Sequence, residues 1–513
     1  MRKCRIIQRS LTGVYFLLLL LPVLGFLDTE TAWNEPIWNG RRLGLMRNSF
    51  LLAFLSACGC MALGVPAAAG IHNGRLRNSS RRWFFLLLAP VPYYIYALTW
   101  MCLVRLSGSG DRRWLSASMT GLLPCIIVNI LTFLPMVTGL VLTAMEHYDR
   151  QSEELARVYA PDHKVLLQIV LPSVWPFTCA AGILVFVLSV TDFSVPSLFQ
   201  YQTYTLELFS EYSRGCSLGQ IGRLAFPLIV PVLILVLLAW KGFRTLPVGS
   251  LPMGREGLHL KGVWSLWGKL GTGMCVLQMT VPAAVFLREI QDWENVWHSV
   301  MLCSRELMAS VMIAALAALT ALAAAGPAGV WLARRSLGIK ALALFPMAVP
   351  SSLVAMGLLR AVNGSPVHWI SQTMYFPALG CAVKYMPFVL LIFMARARRI
   401  PEEELELARV YAQSEGEYFR RVLLAAYRPA LWGAGVLVFL LTLGEEGITL
   451  VLMPPGYETL AVKVYNYLHY GASELVSGFC LLTVLVTAGM MLGAGMLIRR
   501  QKRRKGFERT ADI

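Results

Sequence analysis

Long apolar stretches separated by short polar segments run through almost the whole chain. A hydrocarbon core of roughly 30 Å takes about 20 apolar helical residues, and about twelve stretches meet that length. They lie near 11–27, 50–70, 84–104, 119–144, 173–199, 224–240, 267–287, 307–332, 341–359, 375–394, 427–453 and 475–497. Half of them fall on either side of 241–262, where LPVGSLPMGREG has turn residues and no sustained apolar run, as a surface linker does. The pattern predicts an all-α polytopic membrane protein with about 12 transmembrane helices in two six-helix repeats: 1–245, a cytoplasmic linker 246–262, and 263–513. An even number of spans per repeat brings both into the membrane from the same side, so the duplication is parallel.

Composition supports that class, since 57% of residues are apolar and only 15% charged. The net charge of +17 is mostly a loop bias. Assigning alternate loops puts about 32 Lys and Arg on one side and about 12 on the other, and the rich side, which holds both termini, is expected to be cytoplasmic. The basic tail RRQKRRKGFER reads as a contact with anionic lipid rather than nucleic acid. Arg2, Lys3, Arg5 and Arg9 before an apolar run look like a secretory signal, but no small-residue cleavage site follows, so an uncleaved first span is expected. The eleven cysteines are odd in number and mostly inside spans, which predicts packing rather than disulfides or metal.

Against this background one string stands out. ELARVYA occurs at 154–160 and again at 406–412, both in loops on the basic side and both just ahead of an apolar segment. The similarity continues as GILVFVLSVTDFSVPSLF from Gly182 and GVLVFLLTLGEEGITLVL from Gly435, with an offset one residue larger (154 to 406 is 252; 182 to 435 is 253). A duplicated unit with a single-residue indel between heptamer and span explains both. Pro172 and Pro176 correspond to Ala425 and Pro429. Pro401 followed by Glu402, Glu403 and Glu404 is a favourable helix start, and about three turns should run to about Ala412. Glu406 and Arg409 can pair there, and Leu405, Ala408 and Ala412 form a narrow apolar stripe for a partner. An amphipathic helix lying on the lipid interface is the structural alternative, though it does not call for an identical string in both halves.

A Glu-Ala-Ala-type loop before the fifth span of a six-span unit, followed by a Leu-Pro step, resembles the coupling loop of binding-protein-dependent ABC importer permeases. The duplicated layout resembles the fused permeases of the ferric-iron and thiamine group. The resemblance implies that Glu154, Leu155, Ala156, Arg157 and Ala160, with Glu406, Leu407, Ala408, Arg409 and Ala412, contact two ATP-binding cassette subunits. It also implies an extracytoplasmic solute-binding protein and a multi-pass place in the bacterial plasma (inner) membrane. Iron(III) is the first expectation for substrate, with thiamine, polyamine or phosphonate behind it. Two departures stand out: Ala160 and Ala412 where the family usually has glycine, so the turn lacks the residue that best tolerates positive φ, and Ala425 in place of a proline.

No G-x-x-x-x-G-K-[ST] loop occurs and no catalytic constellation stands out, so the chain is expected to be no enzyme, with no cofactor or metal of its own, and ATP with Mg bound in partner subunits. Asp192 and Glu445 align between the halves, and Glu446 follows. Carboxylates at bilayer depth are costly unless they face a watery path or a partner. Two readings stand: an acidic element lining the substrate pathway, or helix ends that meet outside water. The outer loops REIQDWENVWHSVMLCSRE and PPGYETLAVKVYNYLHYGASE interleave aromatic and charged residues, which suits interfacial anchoring or docking of a binding protein. A gradient-driven twelve-span carrier is the alternative class, but the loop HNGRLRNSSRRW lacks the acid such carriers use there.

Overall fold

The structure, a computed structural model, describes residues 2–26, 38–73, 92–106, 120–147, 150–244, 262–290, 303–470 and 476–486, with a few isolated positions besides. The linker expected at 246–262 (all but Gly262), residues 27–37, 74–91 and 107–119, and the basic tail lie outside the described residues. Those described are helical, with no strand among them. In chain order the helices are α1 (Arg2–Leu24), α2 (Gly40–Asn73), α3 (Tyr93–Leu106), α4 (Leu122–His147) and α5 (Arg150–Tyr159). Next come α6 (Leu171–Val190), α7 (Ser194–Leu198), α8 (Tyr204–Ser213), α9 (Leu218–Arg244) and α10 (Val263–Glu289). They are followed by α11 (Ser304–Leu332), α12 (Leu337–Ala348), α13 (Ser351–Asn363) and α14 (Tyr375–Arg398). The last are α15 (Glu402–Tyr411), α16 (Leu424–Leu443), α17 (Gly447–Leu452) and α18 (Leu460–Tyr470).

Eight helices among the described residues are long and apolar enough to cross a membrane, or nine if the bent pair α12–α13 is one span. Three shorter apolar helices, Gln8–Leu24, Tyr93–Val104 and Val476–Val486, lie in other expected stretches. Three stretches read as continuous are interrupted. The 341–359 stretch bends by 100° between α12 and α13, where Pro350 supplies no N–H and disfavours helix in Val349 before it. The 173–199 and 427–453 stretches each break after twenty residues of helix, at Asp192 and at Glu445, before a short second helix. Four threonine hydroxyls inside spans are satisfied locally: Thr132, Thr138, Thr143 and Thr178 each donate to the carbonyl four residues back, a partner that lipid would not supply.

The chain divides into two compact units that do not follow chain order. One comprises residues 38–207, 234–300 and 470–513. Within it α2 packs on α4, α6 and α10, and α10 also meets α3. The α2–α10 crossing rests on glycine. A Cβ on Gly70 would lie 2.9 Å from the Gly268 carbonyl oxygen, and one on Gly271 would meet the Leu63 carbonyl and Ala67. Backbones approach closely in lipid through such small residues, and Trp267 Nε1 donates to the Ala62 carbonyl beside them at 3.1 Å.

The other unit comprises residues 1–37, 208–233 and 301–469. Here α11 packs on α14 and α16, while α1 lies along α11 and α13. Gly25 and Gly357 meet backbone to backbone, and the buried Tyr15 hydroxyl donates to the Ala343 carbonyl at 2.6 Å. α1 and α10, which open the two expected repeats, thus pack among residues that lie mostly in the other half of the chain.

Candidate functional site

Both ELARVYA strings fold as expected, each at the end of a ten-residue helix: α5 carries Glu154 to Tyr159 and α15 carries Glu406 to Tyr411. Their exposed faces are the same. Leu155, Val158 and Tyr159 are 68%, 74% and 89% exposed, and Leu407, Val410 and Tyr411 are 59%, 80% and 82%. Positions i, i+3 and i+4 share one helix face, so each repeat shows solvent a Leu-Val-Tyr patch. This corrects the expected stripe: Leu405, Ala408 and Ala412 are half-buried, as are Ala156 and Ala160. Glu406 is exposed, and the side chain of Glu154 lies outside the described residues.

The expected Glu406–Arg409 pair is also not formed among the described residues. Arg409 instead places its guanidinium over the Tyr418 ring, 5.4 Å from the centroid, and Arg157 pairs with Asp162 at 3.5 Å. In both copies the arginine ties the exposed helix to the next segment of the chain. Glycine is not missed in the turn, because Ala412 is extended at φ −75° and ψ 128°. Pro161 is likewise extended in the first copy, and Ala160 has no positive φ.

Between each exposed helix and its span lies a stretch of π-helix, 166–170 in one repeat and 418–423 in the other. The second begins 252 residues after the first (166 to 418) and ends 253 after (170 to 423). The extra residue inferred from the offsets is therefore absorbed in the π turn, the wider coil that a single insertion produces in an α-helix. α6 and α16 resume in step, at Leu171 and Leu424.

The aligned acids do one job twice. Asp192 is half-buried and accepts from the backbone N–H of Ser194 (3.1 Å) and Val195 (3.2 Å), which starts α7. Glu445, 5% exposed, accepts from the N–H of Ile448 (3.2 Å), the counterpart of Val195, and so starts α17. Its other oxygen takes the Tyr385 hydroxyl. Glu446 is buried beside it, and its carbonyl accepts from Leu450 N–H at 2.8 Å. Neither Glu445 nor Glu446 is at a helix end open to water. Losing one such cap costs about 1 kcal/mol, whereas emptying the Glu445 site also strands a buried hydroxyl, at about 1–3 kcal/mol more. Glu445→Ala is therefore expected to lower the melting temperature of the purified protein distinctly more than Asp192→Ala. Equal shifts would count against the capping roles.

A second repeated clasp was not anticipated. Ser49 Oγ accepts from Tyr204 N–H at 2.8 Å, and Ser310 Oγ accepts from Leu460 N–H at 2.8 Å, so in each unit a serine on a long helix holds the start of α8 or α18. An ion pair flanks each clasp with reversed polarity: Arg41 with Glu207 at 2.8 Å, and Glu306 with Lys463. The shared Tyr-x-Thr of YQTYTLEL and YETLAVKV marks the place in the sequence. Lys384 was missed as well. It is buried mid-helix in α14 and donates to the carbonyls of Val349 (2.5 Å) and Pro346 (3.4 Å), at the end of α12. A lone Lys in GCAVKYMP, inside an otherwise uncharged span, was the available signal. Cys60 is buried and donates to the Ile130 carbonyl at 3.7 Å, while Cys58 is exposed.

Residues 60–241 match the family described as binding-protein-dependent transport system inner membrane component. The chain is also similar to the putative 2-aminoethylphosphonate transport system permease protein PhnV of Salmonella typhimurium, 26% identical over 261 residues, covering 45% of this chain and 94% of the relative. With the spermidine/putrescine transport system permease protein PotC of Escherichia coli it shares 27% identity over 177 residues, 32% of this chain and 67% of the relative. Both relatives are permease components rather than enzymes.

Proposed function

From a chain that carries an inner membrane component domain of binding-protein-dependent transport systems, we propose a permease with the two repeats fused, serving an ATP-binding cassette importer of the bacterial inner membrane. Two ATP-binding subunits seat on α5 and α15, and a solute-binding protein delivers cargo from outside. The observation that carries this reading is the same exposed Leu-Val-Tyr patch on two separate helices of equal length. A surface helix normally buries its apolar stripe, and contiguous exposed apolar groups mark interaction sites. ATP is hydrolysed in the partner subunits, and this chain converts their movement into displacement of the spans after α5 and α15.

For the cargo, the reading favours an organic solute bearing an amine, the group common to the solutes named for both relatives. Iron(III) fits less well. The acids that suggested it are engaged in starting α7 and α17, which leaves them poorly placed to line a cation path.

Co-purification in lipid with the candidate ATP-binding subunit tests the proposal, comparing wild type with Glu154→Ala plus Glu406→Ala. Wild type is expected to retain the subunit and its ATPase activity, and the double variant to lose or uncouple it. Absence of any ATPase from wild type, or no effect of the substitutions, would make gradient-driven transport the better account.

A further inference from the structure

Two neighbouring residues of α14 each hold the break of a different discontinuous helix. The last carbonyls of α12 lose their i+4 partners because the chain turns by 100° into α13, and the Pro346 carbonyl, whose i+4 residue is Pro350 with no N–H, accepts locally from Val349 N–H at 3.3 Å. Lys384 reaches two of them, Pro346 and Val349. Tyr385, the next residue, donates to Glu445, whose other oxygen caps α17 after the break that ends α16. The Glu445 carboxylate also acts electrostatically on the Lys384 ammonium. All three side chains are nearly fully buried, at 4%, 6% and 5% exposure.

The surrounding packing makes this a tight junction. A Cβ on Gly380, one turn before Lys384, would lie 2.6 Å from Leu452 and 2.7 Å from Ile448 of α17, and 3.7 Å from Leu358 of α13. Successive residues on a helix point about 100° apart, so a single turn of α14 can serve both breaks at once. At its C-terminal end α14 stops at Arg398, and α15 starts at Glu402. The helix that carries the junction therefore leads directly into the exposed Leu-Val-Tyr helix.

We propose that Lys384 and Tyr385 are positioning residues that couple displacement of α15 to the two broken helices. The proposal rests on the docking role given to α15 above. α14 is 24 residues and about 36 Å long, and its helix continues through Pro387, which lies between Lys384 and Arg398 and removes one backbone hydrogen bond without ending it, so a push at α15 is carried along one helix to the Lys384 turn. There the ammonium and the phenol are directional ties: they move the end of α12 with the start of α13 on one side, and the start of α17 on the other. Apolar contacts alone would let the short helices slide. Broken helices are where transporters open and close their paths, and a lysine buried inside a span persists where it has such work.

Hydrogen–deuterium exchange tests this without knowledge of the solute. The full chain with its ATP-binding subunits in lipid discs is compared with and without ATP plus vanadate, for wild type, Lys384→Met and Tyr385→Phe. In wild type, trapping is expected to change exchange about threefold or more in peptides covering 402–411, 346–354 and 444–450. In both variants the change at 402–411 persists, while that at 346–354 is lost in Lys384→Met and that at 444–450 in Tyr385→Phe. A purely structural role would raise resting exchange and leave the response to trapping in place, and that outcome overturns the proposal. So does a wild type whose breaks do not respond although 402–411 does. No response at 402–411 defeats the docking reading and the proposal with it. Tyr385→Phe removes only a hydroxyl, so it decides the matter if Lys384→Met does not fold.

Discussion

Tyr159→Ala combined with Tyr411→Ala is expected to weaken binding of each ATP-binding subunit roughly thirtyfold while leaving the permease folded. Buried tyrosines at interface centres contribute at least about 2 kcal/mol each when truncated, and each subunit loses one of them, about 1.4 decades of affinity. Their exposure of 89% and 82% means the fold itself makes little use of either ring, so the melting temperature should hold. Titration of the subunit onto permease in lipid discs, with a thermal melt alongside, separates the two effects. If α5 and α15 instead lay in the lipid headgroup layer, the same substitutions would lower thermal stability in lipid and leave subunit affinity within about twofold. The patches on α5 and α15 are so alike that the single variants should weaken binding by similar amounts.

Gly268→Leu is expected to abolish the folded protein, and Gly268→Ala to lower its melting temperature. Gly70 and Gly268 meet at the α2–α10 crossing with backbone atoms where side chains would stand. A Cβ on Gly268 would stand 3.1 Å from Gly70 Cα and 3.3 Å from the Pro66 carbonyl oxygen, so a methyl group there asks the two backbones to give by a few tenths of an ångström, and overpacking of this kind costs about 1–3 kcal/mol. A leucine adds three more carbons in the same space. Gly273, five residues further along α10, has nothing within 4 Å of a built Cβ, so Gly273→Leu should be tolerated. Expression and gel-filtration profiles of the four proteins check this. Equal behaviour of the Gly268 and Gly273 variants would show that the crossing does not depend on glycine.

Glycine spacing in α10, GKLGTG, is visible in the sequence, yet Gly268, Gly271 and Gly273 look alike there. Only the neighbour supplied by α2, some two hundred residues earlier, separates the first two from the third. The aligned acids teach a similar lesson. Their registration between repeats was legible, because it follows from counting. That they begin short second helices was not, since SVTDFSVP and TLGEEGIT read as continuations of apolar runs. Asp192 lies two residues before Ser194 in a capping pattern known from soluble proteins, and that was the signal available.

Read alone, the sequence determined the membrane class, the repeated string, the two short helices bearing ELARVYA and the single-residue difference between the offsets of the matching segments. These are local or countable properties: apolar length measures a bilayer, and an exact repeat is counted off the chain. Tertiary structure decided which face of each short helix meets solvent, because Leu405 and Leu407 are equally apolar and only packing leaves one half-buried and the other exposed. It also decided that α1 and α10 pack among residues of the opposite half of the chain, and that Lys384 closes a helix broken 34 residues before it. Such pairings join residues far apart in the chain. In spans that are apolar all round, periodicity carries no mark of which side faces lipid and which faces protein.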